Sequence, residues 1–297
     1  MSQEYNNKLI EKLDAYLSSG ISQNKAADEI GMSASTLSQY RKGIYGGNIE
    51  AVESKLREFF ENTEAAKKLS STIEYTDTGI SKGVYHTIRL CHLYGGLAAE
   101  AGDAGIGKTM AAKKYIEDYP NTAFYIAVNP CTSSVSAFLK NFARELHIDY
   151  NCRKDELWSR ISDILTGSKK VLIIDESQHL PIKTIETVRA FADCNPDLGV
   201  CLIGNLNSLC NNGKAGYAQI RNRTKFTSVR HISDITIEDI KLLFPNVDSQ
   251  ASEYLYKIAH TEQAIRGACN LYMSAVNNED ITYTGLVEMA KETKISI

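Results

Sequence analysis

The segment Gly102-Asp-Ala-Gly-Ile-Gly-Lys-Thr109 matches the pattern GxxxxGK[ST] at every fixed position and is the strongest indication of the fold. Its glycines permit backbone conformations that aim successive N–H groups at one point, where a phosphate chain can bind. The helix that should follow adds the positive end of its dipole. The motif therefore predicts a P-loop for ATP. The residues expected to contact the nucleotide here are Gly102, Asp103, Ala104, Gly105, Ile106, Gly107, Lys108, Thr109 and Met110.

The charged and hydroxyl groups of this loop predict the chemistry of the phosphates. Lys108 should neutralise the β- and γ-phosphates, and the Thr109 hydroxyl should ligate Mg²⁺. About 66 residues later, the apolar run Val171–Ile174 ends in Asp175-Glu176. Because successive strand side chains point opposite ways, Asp175 can approach the Mg²⁺ while Glu176 reaches the attacking water. Glu176 is thus the expected general base.

Apolar strands alternate with amphipathic helices around the P-loop, which indicates an α/β fold with a parallel sheet covered on both faces. The candidate strands are Gly96–Ala101, Ala123–Asn129, Lys170–Asp175, Val200–Gly204 and Phe226–Ile232. One helix is clear from a single apolar stripe formed by Val135, Phe138, Leu139, Phe142, Ala143 and Leu146. Asn205 follows the fourth strand, where a polar side chain could orient the attacking water.

The chain divides into four segments by pattern. Residues 1–60 read as a module of short helices, and residues 61–72 as a helix end and linker. Residues 73–232 carry the α/β core. Residues 233–297 switch to helices only, expected at about 236–244, 249–260, 263–277 and 282–293.

The segment Gln23–Tyr40 has the layout of a helix-turn-helix. The small Ala27 lets two helices cross closely, Gly31 makes the turn, and Ser33 can cap the second helix. Leu37 and Tyr40 should face the core of the module. The residues expected to face DNA are Ser35, Thr36, Gln39, Arg41 and Lys42. Residues 1–60 contain seven basic and eight acidic residues, a balance that does not favour strong DNA binding. The alternative is that this module contacts another protein.

The amino-acid composition indicates a globular protein rather than a membrane protein. The 297 residues are 43% hydrophobic, enough for a globular core, and no apolar run approaches the roughly 20 residues of a membrane span. Seven scattered cysteines without a CxxC pair suggest reduced thiols in a cytoplasm. The segment Asn205–His231 has five Lys or Arg and no acid, although the net charge is −3. Such a segment either faces an anion or is an ordinary solvated loop.

Taken together, these motifs resemble the AAA+ ATPases, and within them the phage Mu B family of transposition proteins. The resemblance rests on the order and spacing of AGDAGIGKT, NPCTSSVSAFLKNFARELHI, VLIIDESQHL, LIGN, YAQIRNRTKF and EQAIRGACNLYMSA. It implies a five-stranded parallel sheet and a four-helix lid with ATP between them. It further implies that Asn205 is the sensor-1 residue, Arg266 the sensor-2 arginine of the lid, and Arg223 an arginine finger. Arg221 is close enough to be the finger instead.

The same resemblance implies a protein that assembles with ATP on double-stranded DNA, as a helical filament or ring, and activates a transposase. DNA could then be bound by the ATPase core, through the loop Asn129–Ser134 with Lys140 and Lys183. Three alternatives stay open. One is a loader that delivers another protein, such as a helicase, to DNA. Another is a transcription regulator whose helix-turn-helix is switched by ATP. A secretion-associated ATPase is disfavoured, since no membrane segment is apparent.

Overall fold

The computed structural model describes residues 5–70, 75–205 and 224–295, with residues 65–70 as backbone only. The chain forms two compact units, Met1–Thr72 and Ile73–Ile297.

The first unit is all helical and contains the predicted helix-turn-helix. Its helices are α1 (Asn7–Ser18), α2 (Gln23–Ile30), α3 (Ala34–Arg41) and α4 (Ile49–Ser70). Gly31 ends α2 with φ +75°, a left-handed conformation that favours glycine. The Ser33 side chain caps α3 by accepting from the Thr36 backbone N–H at 3.0 Å. Leu37 and Tyr40 are fully buried beside Leu13, so the predicted core face of α3 is confirmed.

The fourth helix is longer than the sequence suggested. Residues 61–70, assigned above to a helix end and linker, form the second half of α4. The run Ala65-Ala-Lys-Lys-Leu69 consists of strong helix formers, so the helix continues although few large apolar groups are present to pack it.

The second unit is built on the predicted five-stranded parallel sheet, with strand order β2-β3-β4-β1-β5. The strands are β1 (Gly96–Gly102), β2 (Ala123–Ala127), β3 (Lys170–Asp175), β4 (Leu198–Asn205) and β5 (Thr224–Arg230). The pairings of β1 with β4 and β5, and of β3 with β2 and β4, are all parallel. Their carboxyl ends therefore meet at one edge of the sheet, where the P-loop begins.

Helices cover both faces of this sheet, as continuous apolar strands require. The helices around the sheet are α5 (Gly79–Tyr94), α6 (Lys108–Asp118), α7 (Val135–Glu145), α8 (Lys154–Leu165) and α9 (Ile182–Cys194). One hydrophobic cluster joins the sheet to α5, α6 and the C-terminal helices, and another joins it to α7, α8 and α9. The apolar stripe predicted for α7 is confirmed, because Phe138, Leu139, Phe142 and Ala143 are buried.

The chain ends in the helical region that the sequence predicted. Its helices are α10 (Ile237–Leu243), α11 (Ser249–Ala259), α12 (Ala264–Asn277) and α13 (Tyr283–Glu292). We call these helices the lid. Across the described parts of the chain, we find no helix of the length and apolarity needed to cross a membrane.

Candidate nucleotide site

The P-loop connects β1 to α6 through backbone that only glycine adopts easily. Gly105 has φ +76° and Gly107 has φ +101°, both in the left-handed region. A Cβ on Gly105 would also lie 3.1 Å from the Gln263 carbonyl oxygen and 3.2 Å from Arg266 Cβ. The loop is therefore shaped by two constraints, its own curvature and the lid that packs directly against it. A backbone hydrogen bond of 3.0 Å from the Arg266 N–H to the Gly105 carbonyl fixes this contact.

Asp103 attaches the P-loop to the end of β5. Its backbone N–H donates to the Arg230 carbonyl at 3.1 Å, and its Oδ2 accepts from the Ile232 N–H at 2.8 Å. Lys108 Nζ reaches across the loop and donates to the carbonyls of Gly102 at 3.0 Å and Asp103 at 2.6 Å. Burial lowers the pKa of Lys108, and the nearby charges of Asp175 and Glu176 oppose that shift. This ammonium group therefore stands inside the loop, where the phosphates of a nucleotide would lie.

The acidic residues at the end of β3 meet the P-loop, as the sequence predicted. Thr109 Oγ1 donates to Asp175 Oδ2 at 2.7 Å, and the buried Asp175 also accepts from the Glu176 backbone N–H at 2.9 Å. A hydroxyl and a carboxylate in contact are two hard oxygen donors, the set that Mg²⁺ prefers. The residues present thus fit Mg²⁺ at Thr109 and Asp175.

Tyr125 on β2 is a site residue that the sequence analysis missed. Its hydroxyl donates to Asp175 Oδ2 at 2.8 Å, the same oxygen that Thr109 contacts. Burial and the charge of Asp175 raise the pKa of Tyr125, so the phenol keeps the proton that it donates. The sequence alone does not show this contact, because it depends on β2 lying beside β3, where Ala127 pairs with Asp175.

Glu176 stands at the turn after β3 in an unusual backbone conformation. It has φ +53° and ψ +34°, a left-handed conformation that is uncommon for residues other than glycine and is concentrated at functional sites. Its side chain is exposed to the cavity, and its Oε2 accepts a short hydrogen bond from Gln178 Nε2. Gln178 Oε1 in turn accepts from the Asn205 backbone N–H at 3.2 Å. Gln178 is a second residue that the sequence analysis missed.

A cavity of about 810 Å³ brings these groups together. It lies between the P-loop, the carboxyl edge of the sheet and helix α12 of the lid. Of the residues predicted for the site, the following line this cavity: Ala104, Gly105, Gly107, Lys108, Thr109, Met110, Asp175, Glu176, Asn205 and Arg266. Gly102, Asp103 and Ile106 do not line it. The first two hold the loop by the contacts described above, and Ile106 is fully buried beneath it.

A smaller, mostly apolar cavity adjoins the P-loop helix. Its volume is about 90 Å³. It is lined by Ile106, Gly107 and Met110 and by the lid residues Leu243, Ile265 and Cys269. The remaining lining residues are Tyr75, Thr76, Thr78 and Ser81. This cavity was not predictable from the sequence, because its walls come from segments that are far apart along the chain.

Only one of the three predicted arginines lies among the described residues. Arg223 and its alternative Arg221 lie outside the described residues, whereas Arg266 lies on α12 beside the P-loop.

The predicted DNA-facing residues of α3 lie together in the first unit. Ser35, Gln39, Arg41 and Lys42 are exposed, as expected. Thr36 is only half-buried rather than fully exposed, because its hydroxyl lies 2.8 Å from the Ser33 hydroxyl at the start of the helix. Arg41 forms a short ion pair with Asp14 of α1, so its guanidinium already has a partner within the module.

A P-loop between the first strand and helix of a β2-β3-β4-β1-β5 sheet, facing an acidic strand end and a helical lid, defines an ATPase of the AAA class. The model of the AAA domain family matches residues 93–209, and that of the helix-turn-helix Psq domain matches residues 6–46. The solved ORC2 protein of Aeropyrum pernix shares this fold, with a TM-score of 0.52, 13% identity, and coverage of 73% of this chain and 67% of that one.

Two relatives identify the family. The Mu-like prophage FluMu DNA transposition protein B of Haemophilus influenzae is 33% identical over 66% of this chain and 69% of its own length. The ATP-dependent target DNA activator B of Escherichia phage Mu is 27% identical over 80% of this chain and 78% of its own length. The chain belongs to the family of Mu-type DNA transposition B proteins.

Proposed function

We propose that this protein uses ATP to engage double-stranded DNA as a transposition target and to activate a transposase on it. One observation carries the proposal. A chain of the transposition B family has an ATPase site with its P-loop, acidic residues and lid in contact, together with a folded helix-turn-helix. The ATP site supplies the switch, and the DNA-binding surfaces supply the target contact.

The ATPase site assigns a role to each group. The P-loop N–H groups and Lys108 bind the phosphates, and the apolar cavity beside Met110 accepts the base. Thr109 and Asp175 would hold Mg²⁺, which neutralises charge on the phosphates when bound. Glu176 accepts a proton from the attacking water, and Asn205 at the end of β4 orients that water. Arg266, on helix α12 of the lid, contacts the γ-phosphate from the lid side of the cavity.

The helix-turn-helix offers the first DNA surface. Ser35, Thr36 and Gln39 have side chains suited to base edges, and Lys42 has a cation suited to phosphate. Arg41 must share its guanidinium between Asp14 and a phosphate, so Lys42 is the stronger electrostatic contact.

We expect Arg41→Ala combined with Lys42→Ala to weaken binding to duplex DNA and to flatten its salt dependence. Removing one cation from a phosphate should reduce the slope of log affinity against log salt by about 0.9. Titrations at several salt concentrations measure this slope. Lys8→Ala, which removes an exposed cation of α1, is the matched control and should leave the slope near that of the unmodified protein. An unchanged slope in the double variant would favour a protein-contact role for the module.

The ATPase core offers a second DNA surface at the loop Asn129–Ser134. The Asn129 Oδ1 accepts from the backbone N–H groups of Cys131 at 2.9 Å and Thr132 at 3.1 Å, which holds the loop in one shape. The Thr184 hydroxyl donates to the Ser133 carbonyl at 2.8 Å and joins the loop to the start of α9. Lys140 and Lys183 are exposed on the helices that flank it. Subunits assembled as a filament or ring would align these cations along DNA in the cytoplasm.

A strand-transfer assay tests the proposed function. A transposase of the Mu type is mixed with donor DNA and target DNA, with and without this protein, in ATP or ADP. We expect this protein with ATP to raise transfer into the target DNA. Transfer that is the same with and without the protein would contradict the proposal. DNA footprinting distinguishes the proposed function from the alternative of a transcription regulator. A regulator predicts one protected operator, whereas a target-binding protein predicts protection that tolerates many sequences.

A further inference from the structure

Gln178 connects the carboxylate of Glu176 to the end of β4. Its Nε2 donates to Glu176 Oε2, and its Oε1 accepts from the Asn205 backbone N–H at 3.2 Å. The orientation of this amide is determined by its partners, since a carboxylate can only accept and a backbone N–H can only donate. Reversing the amide would break both hydrogen bonds. The Gln178 amide, which bridges Glu176 and Asn205, therefore has only one orientation that keeps both hydrogen bonds.

The turn that carries Gln178 is itself fixed to β4. Ser177 is buried, and its hydroxyl donates to the Ile203 carbonyl at 2.8 Å. With the Gln178 contact to Asn205, two successive residues after Glu176 are attached to two positions near the end of β4. The amide of Gln178 is thus held in place independently of Glu176.

Glu176 needs such a partner because little else restrains its side chain. The group is exposed to the cavity, and a free glutamate side chain has rotamer entropy to lose when it is held in one position. With Oε2 held by Gln178, the other oxygen of Glu176 stays available to a water.

We propose that Gln178 is a positioning residue for ATP hydrolysis: it holds Glu176 toward the attacking water and couples that carboxylate to the end of β4. The inference rests on the proposed function, in which Glu176 is the general base and Asn205 contacts the water. A displacement of the β4 end by the γ-phosphate is then transmitted through one amide to the base. Misplacing a base in this way can lower turnover about 100-fold without changing how the substrate binds.

Two substitutions separate this role from a merely structural one. Gln178→Ala removes both hydrogen bonds, and we expect kcat to fall about 10- to 100-fold while the Kd for ATP changes less than about threefold. Gln178→Glu keeps the size of the side chain and an acceptor for the Asn205 N–H, but it cannot donate to Glu176 and sets a second negative charge beside it. We expect its kcat to fall at least as far. His179→Ala, on the same turn, is the control and should keep the kcat of the unmodified protein.

Each outcome either supports or overturns the positioning role. A structural role through Asn205 alone would make Gln178→Glu nearly as active as the unmodified protein, and that result would overturn the inference. Wild-type kcat in Gln178→Ala would do the same. If Glu176→Gln hydrolyses ATP at the normal rate, the assignment of the base in the proposed function fails instead. Thermal melting of each variant checks that the fold is retained.

Discussion

Lys108→Ala should lose ATP binding by at least about 100-fold in Kd, and Glu176→Gln should keep binding while losing hydrolysis. Lys108 is the cation inside the P-loop, where it donates to two backbone carbonyls. Each hydrogen bond that it would make to a charged phosphate of ATP contributes about 1.5–3 kcal/mol. Losing two such bonds corresponds to more than two decades of affinity. Glu176→Gln preserves the shape of the side chain, but its amide cannot accept the proton of the water. General-base catalysis contributes about 100- to 10,000-fold, so turnover should fall in that range.

The matched control for Lys108→Ala is Lys113→Ala, since Lys113 is an exposed cation on the same helix. Fluorescent-nucleotide titration measures binding, and phosphate release measures turnover. Because Lys108 also donates to the Gly102 and Asp103 carbonyls, a melting curve must accompany the binding result. Tight ATP binding by a folded Lys108→Ala protein would contradict the assigned phosphate site.

Arg223→Ala should retain ATP binding and lose DNA-stimulated hydrolysis by about 1,000-fold or more, the usual contribution of an arginine finger. Arg223 lies outside the described residues, and the prediction rests on the sequence, where this arginine stands beyond the fourth strand in the basic, acid-free segment Asn205–His231. A guanidinium group there would stabilise the charge that develops on the γ-phosphate of a neighbouring subunit's ATP.

A mixing experiment tests this shared site directly. We expect Arg223→Ala and Glu176→Gln each to be inactive alone. Mixed assemblies would contain interfaces that pair an intact Glu176 with an intact finger, so part of the activity should return. Lys225→Ala is the control, because this nearby cation instead donates to the Tyr94 carbonyl at 3.1 Å. Full, concentration-independent hydrolysis by monomers without DNA would contradict the shared site. Loss in Arg221→Ala but not in Arg223→Ala would move the finger by two residues and leave the mechanism intact.

The sheet and the nucleotide site were predictable because their signals are local. A P-loop consumes eight consecutive residues, and Asp175-Glu176 follows an uninterrupted apolar strand. The weakest strand, β1, shows what local patterns miss. Glu100 near its centre is fully buried, and its Oε1 pairs with Arg230 Nε at 3.0 Å, so a charge that argues against a strand has its partner 130 positions away. Its Oε2 is buried without a hydrogen-bond partner among the described residues.

Helix α5 contacts the same distant residue, Arg230. Gly83 in the middle of α5 weakens its helical pattern, but a Cβ there would lie 2.5 Å from the Arg230 guanidinium, so packing explains the glycine. Tyr125 becomes a site residue through the place of β2 beside β3, and Gln178 through the turn that follows β3. No sequence spacing encodes those contacts.

The central claim is that ATP bound at this site controls whether the protein binds target DNA. The most direct test measures the affinity for long duplex DNA in the presence of different nucleotides. The unmodified protein is titrated onto mixed-sequence DNA with ATP, with ADP and without nucleotide, beside Glu176→Gln with ATP. We predict tight binding with ATP that strengthens with DNA length, weak binding with ADP, and a persistent complex for Glu176→Gln. Equal affinity in ATP and ADP, or wild-type DNA affinity in Lys108→Ala, would contradict the account.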